Sequence, residues 1–404
     1  MTTFPPSFHP HTLSIAHSTS PSLPPSSLFA LVSSPHIASS GPSSSSTKPV
    51  LVFLHGYPQD HLLWAPLLLY LYATQKELWE QFRVVVPDLP GYGKSRKAVS
   101  PDGSHRAHSK REVGKDLLAL VDGLFPVKEG DEKPKVVLIG HDRGARVAYR
   151  LAKDSPSRIV GLCVQDIIPT ALQFSRMSLT NNTHAITLKS YHWVLLALPS
   201  PLPEMLLSSR STRRWFIHHN LTAWSGSASR RLGALYPSFA DGGIAKEEEE
   251  ETTTFHPDAM KQWVEQYDDP AVLAGALEDY RAGATVDLAD DAADASSPLG
   301  TTSPSPSAGD GGLAHGLLPP STALLALWSA GLERGDLARP NAVRDTWVAI
   351  GGGAEAERDG RVRARRVMGG KGEGEVGHFL PLEAVEEVAE ELGEWVGRWW
   401  GGRE

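Results

Sequence analysis

The segment VVLIGHDRGARVAYRLA, residues 136–152, decides the fold of this chain. An apolar run leads into a short turn that has Gly140 and Gly144 on either side of Asp142, and a stretch with helical spacing follows. A residue at the tip of a strained turn between a strand and a helix requires small neighbours. The segment therefore predicts a strand, a sharp turn that presents Asp142, and a helix.

Apolar runs of the same kind occur on both sides of this segment. They read PVLVFLHG from residue 49, FRVVVP from 82, RIVGLCVQDI from 158 and STALLALWSAG from 321, and the arginine-rich segment RVRARRVM from 361 is the predicted final strand. Most are continuous rather than alternating, which is typical of strands buried on both faces. Because helical patterns separate them, we predict an α/β fold: a mostly parallel sheet with right-handed crossovers and flanking helices.

The alternation of strands and helices is interrupted, which indicates several parts. Residues 168–288 are rich in Trp, Tyr and His and have mostly helical spacing, so we expect a helical cap inserted into a core formed by residues 49–167 and 320–404. Residues 289–319 are a low-complexity segment rich in Asp, Ser, Pro and Gly, for which we expect disorder. The Ser- and Pro-rich residues 1–48 contain two candidate edge strands, TLSIA and SSLFALVSS.

Composition and charge exclude several classes of protein. The 404 residues carry a net charge of −8 and no long basic block, so we expect no nucleic-acid partner. The single cysteine, Cys163, cannot form an internal disulfide, which favours a reducing, cytoplasmic location.

The N-terminal region lacks the features of a signal peptide, and no apolar run reaches the ~18 residues needed to span a membrane. The expected partner is a small-molecule substrate, and the oligomeric state stays open, with a homodimer as one option.

The residue type at the tip of the turn indicates the chemistry. A serine alkoxide there would attack a carbonyl carbon, whereas a carboxylate suits displacement at saturated carbon and forms an alkyl-enzyme ester. Water then hydrolyses that ester at its carbonyl and regenerates the carboxylate. Asp142 therefore predicts substrates that carry a leaving group on sp³ carbon, such as organic halides or epoxides.

The second step needs a base, a group that orients it, and donors for the oxyanion. His378 lies between the last strand and the last helix of the core, where this chain order places a catalytic histidine. Asp166, at the end of a strand, is the favoured partner of the imidazole; Glu333 is its rival, and capping of the first cap helix is another role for Asp166. The backbone N–H groups of Tyr57 and Arg143 are the predicted oxyanion hole. Since imidazole activates the water, we expect no metal and no organic cofactor.

Further motifs extend this interpretation, in the chain order HGYPQDHLLW, DLPGYGKS, GHDRGAR, DIIPT, YHW, DYRAG and GHF. With them, the chain resembles the fluoroacetate dehalogenases of the α/β-hydrolase superfamily over residues 50–400, which implies the α/β-hydrolase fold. Epoxide hydrolases and haloalkane dehalogenases of that superfamily tend to carry Trp where this chain has Arg143. Three insertions depart from the family pattern and lie at about 240–254, 289–319 and 351–375.

The resemblance implies a role for each matching residue. It makes Asp142 the nucleophile, His378 the base and Asp166 its partner. Arg143 and Arg146 would hold a substrate carboxylate, a task that suits charge-assisted hydrogen bonds from two guanidinium groups. The groups that would surround the departing halide lie in the cap and are His192, Trp193 and Tyr280. Their N–H and O–H groups would replace the water that a strongly hydrated fluoride ion loses.

Three functions stay open. The leading hypothesis is hydrolytic dehalogenation of a short 2-haloacid such as fluoroacetate, which yields a 2-hydroxy acid and a halide ion. The alternative is epoxide hydrolysis, which needs phenols in the cap, with Tyr280 as one candidate and Tyr191 or Tyr267 as the second. A catalytically inactive scaffold or receptor-like protein is the third hypothesis, and the intact catalytic residues count against it.

Overall fold

The computed structural model describes residues 3–16, 25–34, 48–177, 184–227, 257–295, 317–335, 341–369 and 375–401. In these ranges the strands are β1 His9–Ile15, β2 Ser26–Ser33, β3 Val50–Leu54, β4 Arg83–Pro87, β5 Val136–His141, β6 Ile159–Gln165, β7 Ala323–Trp328 and β8 Val362–Arg366. Apart from short 3-10 turns, the helices are α1 Ala65–Thr74, α2 Lys76–Trp79, α3 Lys110–Leu124, α4 Arg143–Asp154, α5 Thr170–Arg176, α6 His184–Lys189, α7 Tyr191–Ala197, α8 Leu202–Leu206, α9 Arg210–Trp224, α10 Pro257–Glu265, α11 Pro270–Ala284, α12 Val286–Ala295, α13 Ala330–Gly335, α14 Ala342–Ile350, α15 Gly353–Arg358, α16 Leu380–Glu383 and α17 Val385–Trp400.

The strands form one sheet in the order β1-β2-β4-β3-β5-β6-β7-β8. The strands from β4 to β8 in this order pair in parallel, whereas β2 is antiparallel to both β1 and β4. The predicted mostly parallel sheet with flanking helices is therefore confirmed. All residues of β3 and β5 are buried, which explains why their sequences are continuous apolar runs. The turn that presents Asp142 follows β5, in the middle of the sheet.

Both candidate edge strands of residues 1–48 are present, as β1 and β2, but β1 alone of the two lies at an edge. β2 lies between β1 and β4, and most of its side chains are buried. The difference follows from composition, because SSLFALVS of β2 can be buried on both faces whereas HPHTLSI of β1 is mostly exposed.

The cap lies between β6 and β7, where the sequence predicts it, and contains helices α5 to α12. The expected boundary between the cap and the low-complexity segment, at residue 288, falls inside α12. This helix extends to residue 295 because its acidic side chains face cations of the core: Nη1 of Arg150 lies 2.6 Å from Oδ2 of Asp294. Disorder is therefore the wrong expectation for residues 289–295, while residues 296–316 and the insertion at 240–254 lie outside the described residues.

The insertion expected at 351–375 contains regular structure that completes the core. Helix α15 and strand β8 both lie within it, and β8 pairs in parallel with β7. Cap and core share one continuous hydrophobic cluster, which includes Trp64 and Trp347 of the core and Trp263 of the cap. Among the helices of the described ranges, none combines the length and the apolar character needed to cross a membrane.

Candidate active site

The turn after β5 has the strained geometry that its sequence predicts. Asp142 adopts φ 45° and ψ −117°, a conformation that residues with a side chain rarely occupy. A Cβ atom at position 144 would lie 2.3 Å from the carbonyl oxygen of Leu54, and one at position 140 would lie 2.5 Å from the Cα atom of Ala145. Gly144 therefore allows the turn to pack tightly against the end of β3, and Gly140 allows the start of α4 to lie close to the end of β5, with Asp142 at the tip of the turn.

The two carboxylate oxygens of Asp142 have different surroundings. Oδ2 accepts a hydrogen bond of 3.0 Å from the backbone N–H of Tyr57, one of the two predicted oxyanion donors. Oδ1 lies 4.0 Å from Nε2 of His378. The other predicted donor, the backbone N–H of Arg143, belongs to the first residue of α4. Oδ1 is thus the oxygen that faces His378, while Oδ2 contacts one of the two predicted oxyanion donors.

The imidazole of His378 is oriented by Asp166 rather than by Glu333. Nδ1 of His378 lies 2.6 Å from Oδ2 of Asp166, whose Oδ1 accepts a hydrogen bond of 2.7 Å from the backbone N–H of Ser329. Glu333 of α13 instead accepts a hydrogen bond of 2.7 Å from Nη1 of Arg366 on β8. Of the two acids that the sequence offers, the structure brings Asp166 to the histidine.

The charges around these groups set their protonation. Burial alone would raise the pKa of Asp142, but the positive charges of His378 and Arg146 lower it below its ordinary value of 3.8. Burial opposes the charged form of His378 as well, yet the hydrogen bond and the charge of Asp166 raise its pKa above the ordinary 6.5. Asp142 is therefore ionised at neutral pH, and His378 becomes an unprotonated base at a higher pH than a free imidazole does.

Arg146 is a buried cation beside Asp142, with 5% of its surface exposed. Its Nη1 donates a hydrogen bond of 2.8 Å to the carbonyl of Ile168, and its guanidinium lies 4.5 Å from the centre of the Trp193 ring. Its Nε has no hydrogen-bond partner among the described residues. Burial, partly offset by the charge of Asp142, lowers the pKa of Arg146 to about 10. The side chain thus stays charged at neutral pH and keeps a free donor.

Arg143 is also buried, but its charge is neutralised inside the protein. Nε lies 2.6 Å from Oδ2 of Asp279, and Nη2 donates a hydrogen bond of 2.7 Å to the backbone carbonyl of Asp279. The guanidinium lies 4.2 Å from the centre of the Tyr280 ring. Nη1 has no partner in the described part of the chain. The resemblance gives both arginines the same role, but in the structure Asp279 balances the charge of Arg143. The two guanidinium groups therefore differ in how much of each is free to bind an anion.

The three residues predicted to bind halide come together. The ring centres of Trp193 and Tyr280 lie 5.8 Å apart, and those of His192 and Tyr280 lie 6.0 Å apart. Burial lowers the pKa of His192 to about 3, so its imidazole is neutral, and Nδ1 has no partner among the described residues. Burial also raises the pKa of Tyr280, with a further contribution from the charge of Asp142, so the phenol keeps its proton.

A cavity of about 490 Å³ joins several of these groups. Asp142, Arg146 and His378 line it, as do His192 and Trp193, whereas Tyr57, Arg143 and Tyr280 lie outside the set of lining residues. The cavity continues between α5, α6 and α13. Its volume falls in the range of pockets that hold drug-sized ligands, which is more than a halogen, two carbons and a carboxylate require.

Three residues near the site were not singled out from the sequence. The ring of Trp224, the last residue of α9, lies 4.3 Å from that of His192, centre to centre. Asp279 holds Arg143 as described, and Glu383 of α16 holds the loop that carries the base. Position gives a weak signal for two of them, because Asp279 belongs to the DYRAG motif and Glu383 follows GHF closely. Trp224 lies outside the seven motifs that carry the family resemblance.

A buried cluster of Asp60, His61 and Asp88 has carboxylate and imidazole atoms within 4.8 Å of one another. Those atoms already have partners in the protein. Nδ1 of His61 lies 2.7 Å from Oδ1 of Asp88, while Asp60 accepts hydrogen bonds from Gln262 at 2.6 Å and from the indole N–H of Trp263 at 2.9 Å. The cluster joins the loop after β3 to α10 of the cap, so we assign it to the fold. The absence of a metal or cofactor stays a prediction.

Known proteins share the fold and parts of the sequence. A family model described as the alpha/beta hydrolase family matches residues 51–391. The chain belongs to this family. Among solved structures, a candidate α/β hydrolase from Nostoc sp PCC 7120 resembles this hydrolase with a TM-score of 0.63 and 27% identity, over 96% of this chain and 98% of the other. A candidate epoxide hydrolase from Pseudomonas aeruginosa has the same TM-score of 0.63 and the same 27% identity, over 98% of each chain.

Relatives of known name are similar to parts of the hydrolase. A fluoroacetate dehalogenase from Burkholderia sp is 32% identical over 241 residues, which are 59% of this chain and 64% of the relative. Epoxide hydrolase 3 from Siraitia grosvenorii is 38% identical over 135 residues, 33% of this chain and 36% of the relative. The hydrolase thus aligns with just under two thirds of the dehalogenase and about a third of the epoxide hydrolase. These similarities confirm the resemblance to dehalogenases and the α/β-hydrolase fold.

Proposed function

We propose that this hydrolase removes halide from short 2-haloacids, with Asp142 as the nucleophile. The observation that carries the proposal is the buried guanidinium of Arg146, which lines the same cavity as Asp142 and has an unpaired Nε. A fixed cation beside an attacking carboxylate suits a substrate that is itself a carboxylate, because it binds the substrate and offsets the repulsion between the two anions.

In the first step, Oδ1 of Asp142 attacks the halogen-bearing carbon of the substrate. The carbon–halogen bond breaks, the halide leaves with the bonding electrons, and an alkyl ester of Asp142 remains. The halide would be received by the ring N–H groups of His192 and Trp193 and by the phenol of Tyr280. The rings of these three residues pack against one another, so their donors would replace the water of the ion with little reorganisation.

In the second step, Nε2 of His378 takes a proton from water, and the resulting hydroxide attacks Cγ of the Asp142 ester. Negative charge develops on Oδ2, where the backbone N–H of Tyr57 already donates and that of Arg143 is proposed as the second donor. The tetrahedral intermediate collapses to the 2-hydroxy acid and a carboxylate that contains one oxygen from water. Asp166 stabilises the imidazolium that forms at Nδ1.

The proposal is tested with fluoroacetate, chloroacetate and longer 2-haloacids, with halide measured by ion chromatography and the hydroxy acid by mass spectrometry. We expect equal amounts of halide and 2-hydroxy acid. A single turnover in H₂¹⁸O should place ¹⁸O in the side chain of Asp142, detectable in its peptide. Release of halide without label in Asp142 would contradict the two-step mechanism, and no halide from any haloacid would contradict the substrate class.

Epoxide hydrolysis is the competing function, because it shares the nucleophile and the base. Tyr267 favours it, since its hydroxyl is buried and has no partner among the described residues, and its ring lies 5.9 Å from that of Tyr57, which in turn lies 5.3 Å from that of Tyr280. Tyr191, the other candidate phenol, hydrogen-bonds Asn220. Conversion of styrene oxide to its diol, without turnover of any haloacid, would reverse our ranking.

A further inference from the structure

We propose that the cap segment 224–227 and the carboxylate of Glu383 together position the base, so that cap docking controls the hydrolysis of the ester. The segment, called the cap clasp below, comprises the last residue of α9 and the three residues after it. The loop that it contacts, residues 375–379, carries His378. The proposal rests on the role proposed above for His378, and it makes Glu383 a positioning residue.

The backbone of the cap clasp is hydrogen-bonded to the loop of the base. The backbone N–H of His378 donates to the carbonyl of Trp224 at 2.8 Å. Ser227 contacts Glu375 twice: its N–H donates to the Glu375 carbonyl at 3.0 Å, and its hydroxyl accepts from the Glu375 N–H at 2.9 Å. Three hydrogen bonds therefore join a cap segment directly to the catalytic loop.

Two glycines allow these backbones to approach. A Cβ atom on Gly226 would lie 1.9 Å from the carbonyl oxygen of Glu375, and one on Gly377 would lie 2.1 Å from the backbone nitrogen of Gly226. Neither glycine has a positive φ, so the requirement is for space and not for a special backbone conformation. Any side chain at either position would separate the clasp from the loop.

The carboxylate of Glu383, which lies on the core side, accepts hydrogen bonds from both the cap clasp and the loop of the base. Oε2 accepts the backbone N–H of Gly226 at 2.6 Å and that of Gly377 at 3.0 Å, and Oε1 accepts the N–H of Phe379 at 3.0 Å. One side chain thus holds the residues before and after His378 and also the cap. Hydrogen bonds to a charged acceptor are stronger than those between neutral groups, so a carboxylate suits this position.

The backbone of His378 is therefore fixed from two sides. Its N–H is held by Trp224 of the cap, and its carbonyl accepts a hydrogen bond of 2.8 Å from Nε2 of His141, the residue before the nucleophile. Because the backbone of His378 is held and its Nδ1 is hydrogen-bonded to Asp166, the position of its Nε2 is fixed. A shift of the loop would displace Nε2, which the attack by Asp142 does not use, so ester hydrolysis should be slowed more than the release of halide.

The two chemical steps distinguish positioning from general support of the fold. With chloroacetate as substrate, Glu383→Ala should slow ester hydrolysis about 10²-fold while the initial burst of chloride keeps its rate. The alkyl-enzyme then accumulates and is seen as a mass increase in the intact protein. Gly226→Ala should have the same effect, and Glu383→Gln, which keeps a neutral acceptor oxygen, a smaller one. The controls are Glu390→Ala, an exposed site on α17, and Gly397→Ala, where the added Cβ would meet nothing closer than 3.8 Å.

A measurement without substrate separates this proposal from the proposed function. Glu383 is one of the negative charges around His378, along with Asp166 and Asp142, so Glu383→Gln should lower the histidine pKa in an NMR titration of the imidazole. Wild-type ester hydrolysis in Glu383→Ala, or equal loss of both steps in a folded variant, would overturn the positioning role. If no haloacid is turned over at all, the proposed function fails, and an unshifted titration of His378 in Glu383→Gln then overturns this inference as well.

Discussion

Oδ2 of Asp279 lies 2.6 Å from Nε of Arg143, and this buried pair distinguishes Arg143, whose charge is balanced inside the protein, from Arg146, which lines the cavity beside Asp142. The same carboxylate also faces Nζ of Lys110 at 2.5 Å and accepts a hydrogen bond of 2.8 Å from the hydroxyl of Tyr92. Burial would raise the pKa of Asp279, but Arg143 and Lys110 hold it well below the ordinary range. Asp279, a residue of α11, is therefore ionised throughout the neutral pH range.

Removing this anion should destabilise the fold strongly. Asp279→Ala leaves the charges of Arg143 and Lys110 buried with one partner fewer, which we expect to cost about 3–5 kcal/mol in the free energy of unfolding. Urea denaturation measures the loss. Glu80→Ala is the matched control, because it breaks a solvent-exposed pair with Lys76 and should cost at most about 1 kcal/mol. Similar losses in the two variants would show that the buried pair contributes little.

Replacement of the base should trap the covalent intermediate. In His378→Gln the first step is intact, since Asp142 keeps its charge, but no group at that position accepts a proton from water. Incubation with chloroacetate should add the mass of a carboxymethyl group to the peptide that contains Asp142. If no adduct forms with any haloacid or epoxide, the hypothesis of a catalytically inactive scaffold gains over both enzymatic ones.

Arg146 should decide the preference for a charged substrate. Arg146→Lys keeps the charge but loses the planar donor set, and we expect KM for chloroacetate to rise about 10- to 100-fold. Chloroacetamide, the uncharged isostere, serves as the control substrate, and its kinetics should change little. An equal change for both substrates would mean that Arg146 supports the pocket through its packing on Trp193 and does not bind the carboxylate.

The two steps should respond differently to pH. Asp142 has a pKa below 3.8, so the chloride burst should be flat between about pH 5 and 9. Ester hydrolysis needs neutral His378, whose pKa is raised above 6.5, so its rate should still be increasing with pH above 6.5 and should level off only once the imidazole has lost its proton. Rapid-quench measurements at several pH values separate the steps. A burst that falls in parallel with hydrolysis at low pH would assign the titration to the nucleophile instead.

The cavity should accept acids longer than haloacetate. Its volume of about 490 Å³ leaves room beyond the second carbon, toward α5 and α6. Each methylene that becomes buried there contributes about 0.8 kcal/mol, so kcat/KM should rise about fourfold from 2-chloropropanoate to 2-chlorobutanoate. A steep fall along this series would show that the pocket closes around the substrate more tightly than its resting volume indicates.

The strands and the central turn could be predicted because their signals are local. Continuous apolar runs and the two glycines around Asp142 each reflect burial or space within a few residues, and β3 to β7 follow them. The inner position of β2 could not be read in the same way, because its second neighbour in the sheet, β4, is distant in sequence. Helix α12 was missed for a related reason: its composition resembles a low-complexity segment, and its partners, such as Arg150, lie far away in sequence.

The candidate site shows the same contrast between local motifs, which could be read from the sequence, and contacts between distant residues, which could not. The motifs identified Asp142, Asp166 and His378, and the structure brings them together. Motifs did not reveal that Arg143 is paired internally, because its partner Asp279 is 136 residues away. Glu383 was missed because a carboxylate that accepts three backbone N–H groups leaves no pattern of side-chain types in the sequence.

Among the described residues, β8 is the edge strand at one end of the sheet, and its side chains affect how this edge contacts other molecules. Arg363 and Arg366 are partly exposed and lie 2.6 Å from Glu391 and 2.7 Å from Glu333, respectively. A strand from a second molecule that added to this side would have to displace or bury these ion pairs, at a considerable desolvation cost. The arginines thus disfavour edge-to-edge association at the β8 end of this mostly parallel sheet.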